Sequence, residues 1–452
     1  MNKQKQAQLT EGPVGKTIIR LTIPMFFGIL ASVAFNLIDT FFVGQLGTTP
    51  LAAMSFTFPV VFVISGLSMG LGVGASAIIS RAIGEGDQYR VRRLTTDSLA
   101  LSFIIVAVFI IAGFLTVEPV FKLMGATDQV LPYIESYMYI WYPGMIFMVV
   151  PMVGNFAIRA TGDTKTPSMI MFVAVIINAI LDPLLIYGWG PFPRMELAGA
   201  ALATVISRGI TFFFAIWILY AREKMITVKI PEAREVLESW KNMLYIGLPT
   251  AGTNIILPVG AGIITRLVST YGHEAVAAFG VASRIDMFAM TMIMALSSVL
   301  GPFIGQNLGA DNPDRVRDGV TYGHRFALVW GIFVFLVLIF VSEPVASIFN
   351  DDPKVIEIIV LYLWIVPIGY GALGILSISN GAFNVLKKPL NASLLTITRM
   401  FILYVPLAYI GSYLMGLKGI FSAATAANII TGVAGYFWLK KTLRRPEVGS
   451  GK

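Results

Sequence analysis

Two aspartates lie in stretches that are otherwise apolar enough to cross a membrane. Asp182 lies in AVIINAILDPLLIYGW (174–189), and Asp39 lies in FNLIDTFF (35–42). A carboxylate at the centre of a membrane-spanning helix costs about 2.5–3.5 kcal/mol on insertion scales, so such residues mark functional sites by default. We therefore interpret both acids as functional. The alternative is a structural carboxylate that only hydrogen-bonds a neighbouring helix.

Each aspartate has an amide neighbour at helical spacing. Asn178 precedes Asp182 by four residues and Asn36 precedes Asp39 by three, so each pair shares one face of a helix. Pro183 removes a backbone donor and leaves a carbonyl one turn back unpaired. Each acid is therefore expected to have a polar neighbour within an otherwise apolar helix.

Two further polar residues lie in neighbouring apolar stretches. Thr204 adds a hydroxyl in the sixth stretch, and Asn155 adds an amide in the fourth, after two prolines that should bend it. Burial in a medium of low dielectric penalises an ionised carboxyl, and a like-charged neighbour adds to the penalty, which favours proton uptake. If the acids stay ionised, their oxygens form a hard ligand set suited to Na⁺ at Asp39 and Asp182. The sequence leaves H⁺ and Na⁺ open.

The eighth apolar stretch carries a second group of candidates. Arg284 and Asp286 are two residues apart, so they do not face each other on a helix. A structural pair at a lobe interface and a contact to substrate are equally compatible with this spacing. Met287 and Met290 could line an adaptable apolar pocket, although ordinary packing is the simpler explanation. We take these four residues as candidate substrate contacts.

Composition indicates an all-α polytopic membrane protein. Of 452 residues, 56% are hydrophobic and 13% are charged, against about 25% charged in soluble domains. The chain has no cysteine and two histidines, so a disulfide framework and a histidine metal site are not expected. No cofactor is expected beyond the transported ion. The formal charge is +8, and the basic residues lie mainly between the apolar stretches, where membrane topology explains them. No nucleic-acid partner is therefore expected.

About twelve stretches are long enough to span a bilayer as helices. They divide into an N-lobe (1–221), a cytoplasmic linker (222–242) with an amphipathic surface helix from Glu232 to Trp240, and a C-lobe (243–452). The predicted spans are 18–43, 51–79, 94–116, 132–158, 167–189, 197–221, 243–270, 275–304, 319–342, 354–383, 390–414 and 418–439.

The basic residues predict the orientation. Of 33 Lys and Arg residues, four lie in predicted outer loops (Lys122, Arg194, Lys354 and Lys418), four lie in spans (Arg208, Arg266, Arg284 and Arg399), and the rest lie in inner segments. By the positive-inside rule, both termini are cytoplasmic and the protein belongs to the cytoplasmic membrane. We expect a monomer in the bilayer.

The two halves of the sequence repeat. LTIP ending at Pro24 recurs as IGLP ending at Pro249, and IGEGDQYRVR (83–92) recurs as LGADNPDRVR (308–317), both at one constant offset along the chain. VEPV (117–120) recurs at the same offset as SEPV (342–345). Six spans per half predict a parallel duplication with a pseudo-twofold axis along the membrane normal.

The acids do not repeat. Asp39 aligns with Ile264 in the second half, and Asp182 falls opposite Tyr404. If the acids only supported the fold, both halves would need them equally. The sequence therefore confines the predicted cation chemistry to the N-lobe.

The chain resembles the multidrug and toxic compound extrusion (MATE) family along essentially its whole length, in its DinF-like branch. The resemblance rests on Pro24, NLIDTFFVGQLG (36–47), the GEGD and GADN loops, RATGDTKTP (159–167) and NAILDPLLIYG (178–188). It implies a V-shaped two-lobe antiporter that expels bulky, often cationic, organic compounds in exchange for H⁺ or Na⁺. Asp39, Asn178, Asp182 and Thr204 match the cation-site positions of that branch, with Asn155 a weaker match. The seventh and tenth spans lack the acids of the NorM-like branch, so no cation site is expected in the C-lobe.

These features bear on three possible functions. The first is the antiporter, in which Asp39 and Asp182 load a cation and release substrate outward. The second is a flippase for lipids or lipid-linked sugars, which would be expected to have a strongly cationic cavity, whereas only four arginines lie in the spans. The third is an intramembrane aspartyl protease, whose characteristic glycine context is missing. The antiporter accounts for most of these features.

Overall fold

The computed structural model describes residues 8–444, and every regular element within them is helical. Twelve helices are long and apolar enough to cross a membrane, which confirms the predicted all-α class and number of spans. The predicted cytoplasmic termini fall on residues 1–7 and 445–452, outside the described part. The helices, α1 to α12, are Val14–Gly44, Thr48–Glu85, Gln88–Leu123, Leu131–Ala160, Lys165–Tyr187, Glu196–Arg222, Ala233–Ser269, His273–Gly309, Pro313–Phe349, Pro353–Val385, Pro389–Met415 and Leu417–Leu443.

The linker differs from the sequence prediction. The expected surface helix from Glu232 to Trp240 is not a separate element, because α7 begins at Ala233 and continues without a break to Ser269. The segment AREVLESWKNML contains neither glycine nor proline, so nothing in it ends a helix. The predicted amphipathic helix is therefore the first part of the seventh span.

The start of α7 packs closely on α2 through small residues. A Cβ on Gly70 would collide with the carbonyl of Gly247, and a Cβ on Gly74 would lie 2.5 Å from the carbonyl of Met243. Glycines allow two helices to approach this closely in an apolar medium. The glycine-rich run of α2 therefore serves helix packing.

The chain divides into two compact units. The first unit comprises Phe27–Ile83 and Asp87–Ala251, and the second comprises the described parts of Met1–Phe26, Gly84–Gly86 and Gly252–Lys452. The predicted boundaries left α1 whole in the N-lobe and assigned the seventh span from residue 243 onwards to the C-lobe, whereas the division falls inside both helices. Both division points lie two residues after the prolines of the repeat, Pro24 and Pro249.

Each unit has its own apolar core. The core of the first unit includes Phe121, Met138 and Trp141, and that of the second includes Leu363 and Phe421.

The duplication of the sequence is also visible in the loops. The left-handed backbone of Gly47, Gly86 and Gly162 recurs at the matching positions of the second half, which are Gly272, Asp311 and Lys387. The two halves thus keep the same three turns even where glycine has been replaced.

The loop between α4 and α5 is held by Asp163. Its carboxylate accepts hydrogen bonds from the backbone N (3.0 Å) and the hydroxyl (2.6 Å) of Thr166, and it forms an ion pair with Arg222 at the end of α6. Partial burial raises the pKa of Asp163, but these hydrogen bonds and the Arg222 guanidinium outweigh burial and hold that pKa below its usual range. The charged carboxylate therefore ties the α4–α5 loop to α6.

Replacing Asp163 with alanine should destabilise the first unit by about 1 kcal/mol at neutral pH, because the backbone N–H of Thr166 in the first turn of α5 loses its side-chain acceptor. Since folding lowers the pKa, the ionised carboxylate stabilises the fold above its unfolded pKa, and this contribution is lost as the pH falls through the folded pKa. Thermal unfolding in detergent should show a lower midpoint for Asp163→Ala at pH near 7 and a smaller difference in acid. Asp128→Ala, at an exposed loop position, is the matched control. Equal midpoints for wild type and Asp163→Ala would contradict this role.

Candidate functional site

The centre of the site is the pair Asn178 and Asp182 on α5. Both residues are fully buried, at 0% exposure. The Nδ2 of Asn178 donates a hydrogen bond to the Oδ1 of Asp182 at 3.0 Å, as their spacing of four residues allows. The Oδ1 of Asn178 and the Oδ2 of Asp182 are buried without a partner among the described residues. The pair thus leaves two acceptor oxygens open.

Asp39 of α1 lies near this pair. It is buried, and its Oδ1 has no hydrogen-bond partner in the described part of the chain. The two carboxyl groups are close enough to interact electrostatically, and the buried hydroxyl of Tyr137 on α4 interacts with both. All three side chains belong to the first unit, so its fold brings together acids that are far apart in sequence.

The other residues that the sequence assigned to the cation site differ in burial and in hydrogen bonding. Asn155 of α4 is half-buried, and its Oδ1 is another buried acceptor without a partner among the described residues. Thr204 of α6 is half-buried. Asn36 is exposed, and its amide donates to the carbonyl of Ser32 at 3.1 Å within α1. The amide of Asn36 is therefore hydrogen-bonded within its own helix, whereas Asn155 has a buried acceptor oxygen available for a ligand.

Arg208 of α6 is a member of the site to which the sequence assigned no role. It interacts electrostatically with Asp39, and its guanidinium lies 4.5 Å from the ring centroid of Phe35 on α1. Its Nε is buried, with no hydrogen-bond partner in the region described. The sequence feature that could have identified Arg208 is its spacing of four residues from Thr204, which puts both side chains on one face of α6.

The site is suited to holding one small cation. Its open atoms are carboxylate and amide oxygens, and no group of three or more His, Cys, Asp or Glu side chains among the described residues suggests a transition-metal site. Two neighbouring carboxylates repel each other when both are ionised, and one bound proton or Na⁺ relieves that repulsion. Oxygen ligands are also those that hard cations prefer.

The candidates on α8 lie in the second unit. Arg284 and Met287 are exposed, and Met290 packs on the core of that unit. Asp286 is half-buried and accepts hydrogen bonds from the hydroxyls of Tyr362 and Tyr370 on α10. As their spacing predicts, Arg284 and Asp286 have separate surroundings. The contact role proposed for the four residues stays a prediction.

Comparison with known proteins gives the family. The family model MatE matches residues 24–184 and 249–410. The chain belongs to the MATE family. The starts of the two matched segments, at positions 24 and 249, coincide with the two prolines of the sequence repeat. Members of this MATE family are transporters and not enzymes, so the protease hypothesis is not retained.

Full-length relatives have different names. A protein of Shewanella oneidensis, named FAD transporter, is 39% identical over 429 residues, which cover 95% of each chain. A probable multidrug resistance protein of Bacillus subtilis, YpnP, is 26% identical over 92% of each chain. This MATE protein is therefore similar both to a protein named for FAD transport and to one named for multidrug resistance.

Solved MATE structures share the fold. The Vibrio cholerae MATE transporter VcmN in its bent form has a TM-score of 0.91 and 31% identity, covering 95% of this chain and 97% of VcmN. A MOP superfamily transporter from Pyrococcus furiosus has a TM-score of 0.89 and 26% identity, covering 98% and 99%. The protein is thus a multi-pass membrane transporter of the MATE family.

The hydrogen bond between Asn178 and Asp182 can be tested by a double-mutant cycle. Asn178→Leu should lower the stability by about 1–3 kcal/mol, because it leaves the buried Asp182 carboxyl without its donor. In Asn178→Leu/Asp182→Leu both polar groups are gone, so the combined loss should be smaller than the sum of the two single losses. Thermal unfolding of the four purified proteins measures the coupling. Additive losses would show that the hydrogen bond contributes nothing to stability.

Proposed function

We propose that this MATE protein is a secondary antiporter that exports bulky organic compounds in exchange for H⁺ or Na⁺. The observation that carries the proposal is the pairing of Asp39 and Asp182 in one unit. Each carboxyl has a buried oxygen without a partner in the described structure. The family relationship to multidrug efflux proteins supports the export of organic compounds.

Coupling follows from the charge of the two acids. Without a bound cation, the two carboxylates and Arg208 leave the site with net negative charge, which favours a cationic substrate over an anion. A proton or Na⁺ entering from outside removes one negative charge and weakens the hold on that substrate. The cation also changes the interactions between α1 and α5, which carry the two acids. A difference of a few kcal/mol between two conformations is enough to reverse their populations.

Asp182→Asn should abolish coupled efflux while the protein remains folded, because the amide can still accept from Asn178 but cannot exchange a cation. The test is a proteoliposome assay with ethidium as the substrate probe and with a pH gradient or a Na⁺ gradient imposed separately. The gradient that drives wild-type export identifies the coupling ion. Asp128→Asn, in an exposed loop, should transport as wild type does. Full gradient-driven export by Asp182→Asn would refute the mechanism.

A second substrate class is favoured by two observations. The Shewanella oneidensis relative named FAD transporter is 39% identical along 95% of both chains. In this chain Arg208 puts a buried guanidinium beside Asp39, and its Nε has no partner among the described residues. A guanidinium matches the geometry of phosphate oxygens. We therefore propose FAD, or another organic anion with a diphosphate, as an alternative substrate to the cationic compounds.

Arg208→Met should distinguish the two classes. If a diphosphate binds at Arg208, the variant should lose at least tenfold in the initial rate of FAD efflux from loaded proteoliposomes, because binding loses a charge-assisted hydrogen bond. Ethidium efflux should be retained or increased, since a positive charge has been removed. Arg266→Met, at an exposed position of α7, is the control. Equal FAD efflux by Arg208→Met and wild type would remove Arg208 from substrate recognition.

A further inference from the structure

The second unit contains an acid on a spanning helix, outside the site described above. Asp286 of α8 accepts hydrogen bonds from the hydroxyls of Tyr362 and Tyr370, one on each of its carboxylate oxygens. Both tyrosines are themselves buried, at 5% and 1% exposure, in the core of that unit. The carboxyl group therefore lies against apolar side chains and two phenols.

No positive charge compensates this carboxylate. Among the described residues Asp286 forms no ion pair, and the neighbouring Arg284 is exposed on a different side of α8. Arg399 of α11 donates to the Oδ1 of Asn428 and interacts with Tyr404 rather than with Asp286. An isolated ionised carboxyl in a membrane-spanning helix is costly, so binding a proton would remove that cost.

The groups that face Asp286 come from two helices. Tyr362 and Tyr370 on α10 and Tyr404 on α11 interact with it electrostatically. The ninth helix also packs on α8, but its titratable residues lie in its first turns, from Asp314 to Arg325, and at Glu343 near its end. The facing groups are thus phenols, which remain neutral at physiological pH.

The two tyrosines flank a break in α10. The α-helix Pro353–Ile365 ends, a 3₁₀ turn runs over Val366–Gly369, and the α-helix resumes at Tyr370. Pro367 lies in the turn and lacks a backbone donor. Asp286 therefore connects the two parts of α10 across the turn, one through each oxygen.

We propose that Asp286 is a second proton-binding site and that its protonation loosens the break in α10. A proton from the aqueous phase forms an O–H bond with one carboxylate oxygen, which becomes a donor. The tyrosine hydroxyl at that oxygen then has to accept, and a neutral hydrogen bond replaces one to a charged carboxylate. The contact that ties one part of α10 to α8 is thereby weakened. No cation site was expected in this half, because the seventh and tenth spans lack the acids of the NorM-like branch, whereas Asp286 is on the eighth.

The test isolates Asp286 from the acids of the first unit. In an Asp39→Asn/Asp182→Asn background, infrared difference spectra of the purified protein are recorded from about pH 9 to about pH 5, the lower limit lying above the usual range of exposed carboxyls. One carboxylic-acid C=O band should grow as the pH falls and should be missing after the further change Asp286→Asn. Tyr370→Phe retains the acid and should shift the frequency of the band, because one hydrogen-bond donor is lost. Glu343→Gln, at an exposed acid of α9, should leave the band unchanged.

A second measurement reports the break itself. The chain has no cysteine, so spin labels can be attached to Lys354→Cys, in the first turn of α10, and to Lys387→Cys, just after its end, both at exposed positions. In the same background the distance between the labels should change over the pH range in which the band grows, and Asp286→Asn should abolish this dependence.

Two results would overturn the proposal. One is the absence of a pH-dependent band that Asp286→Asn removes, which would leave Asp286 a fixed structural acceptor. The other is a label distance that does not depend on pH while the band titrates. Neither result bears on coupled efflux through Asp39 and Asp182, because both acids are absent from the background.

Discussion

The cost of an uncompensated charge in an apolar helix is the constraint on which the rest of this structure depends. Asp182 is fully buried and has one amide donor, and Asp39 has an oxygen with no partner within the described part. In soluble proteins water or a cation would satisfy such groups. In a medium of low dielectric, one positive charge bound beside either carboxyl would change its energy far more than in water. The proposed coupling to a proton or Na⁺ depends on this sensitivity.

Because the two halves are repeats, their buried charges can be compared position by position. Both halves match the MatE family model, and the left-handed turns at 47, 86 and 162 recur at the matching positions of the second half. The acids do not recur, since Ile264 takes the place of Asp39. Gene duplication preserved the helices and turns of both units, whereas the buried charges differ. The first unit holds a pair of acids near an arginine, and the second holds one acid between two tyrosines.

The relatives are named for different substrates, and the candidate site contains charges of both signs. An FAD transporter and several multidrug proteins are similar over nearly the whole chain. Two carboxylates favour organic cations, whereas the guanidinium of Arg208 favours a phosphate. Arg208 interacts electrostatically with Asp39, so a cation bound at Asp39 would also change the surroundings of the guanidinium. In the proposed mechanism, the sites for the ion and the substrate therefore share neighbouring groups on α1 and α6.

The sequence by itself determined the class, the number of spans, the repeat and the pairing of Asn178 with Asp182. These follow from apolar length and from helical spacing, which are local properties of the chain. It missed the continuity of α7 through residues 233–240, because amphipathic composition alone does not show where a helix ends. Only the tertiary structure decided that Asp39 lies near Asp182, that Arg208 interacts with Asp39 and that Asn36 is exposed, since these depend on how separate helices pack. It also decided that Tyr362 and Tyr370 converge on Asp286 across a break in α10, a contact between residues at least 76 positions apart that no spacing within one helix can reveal.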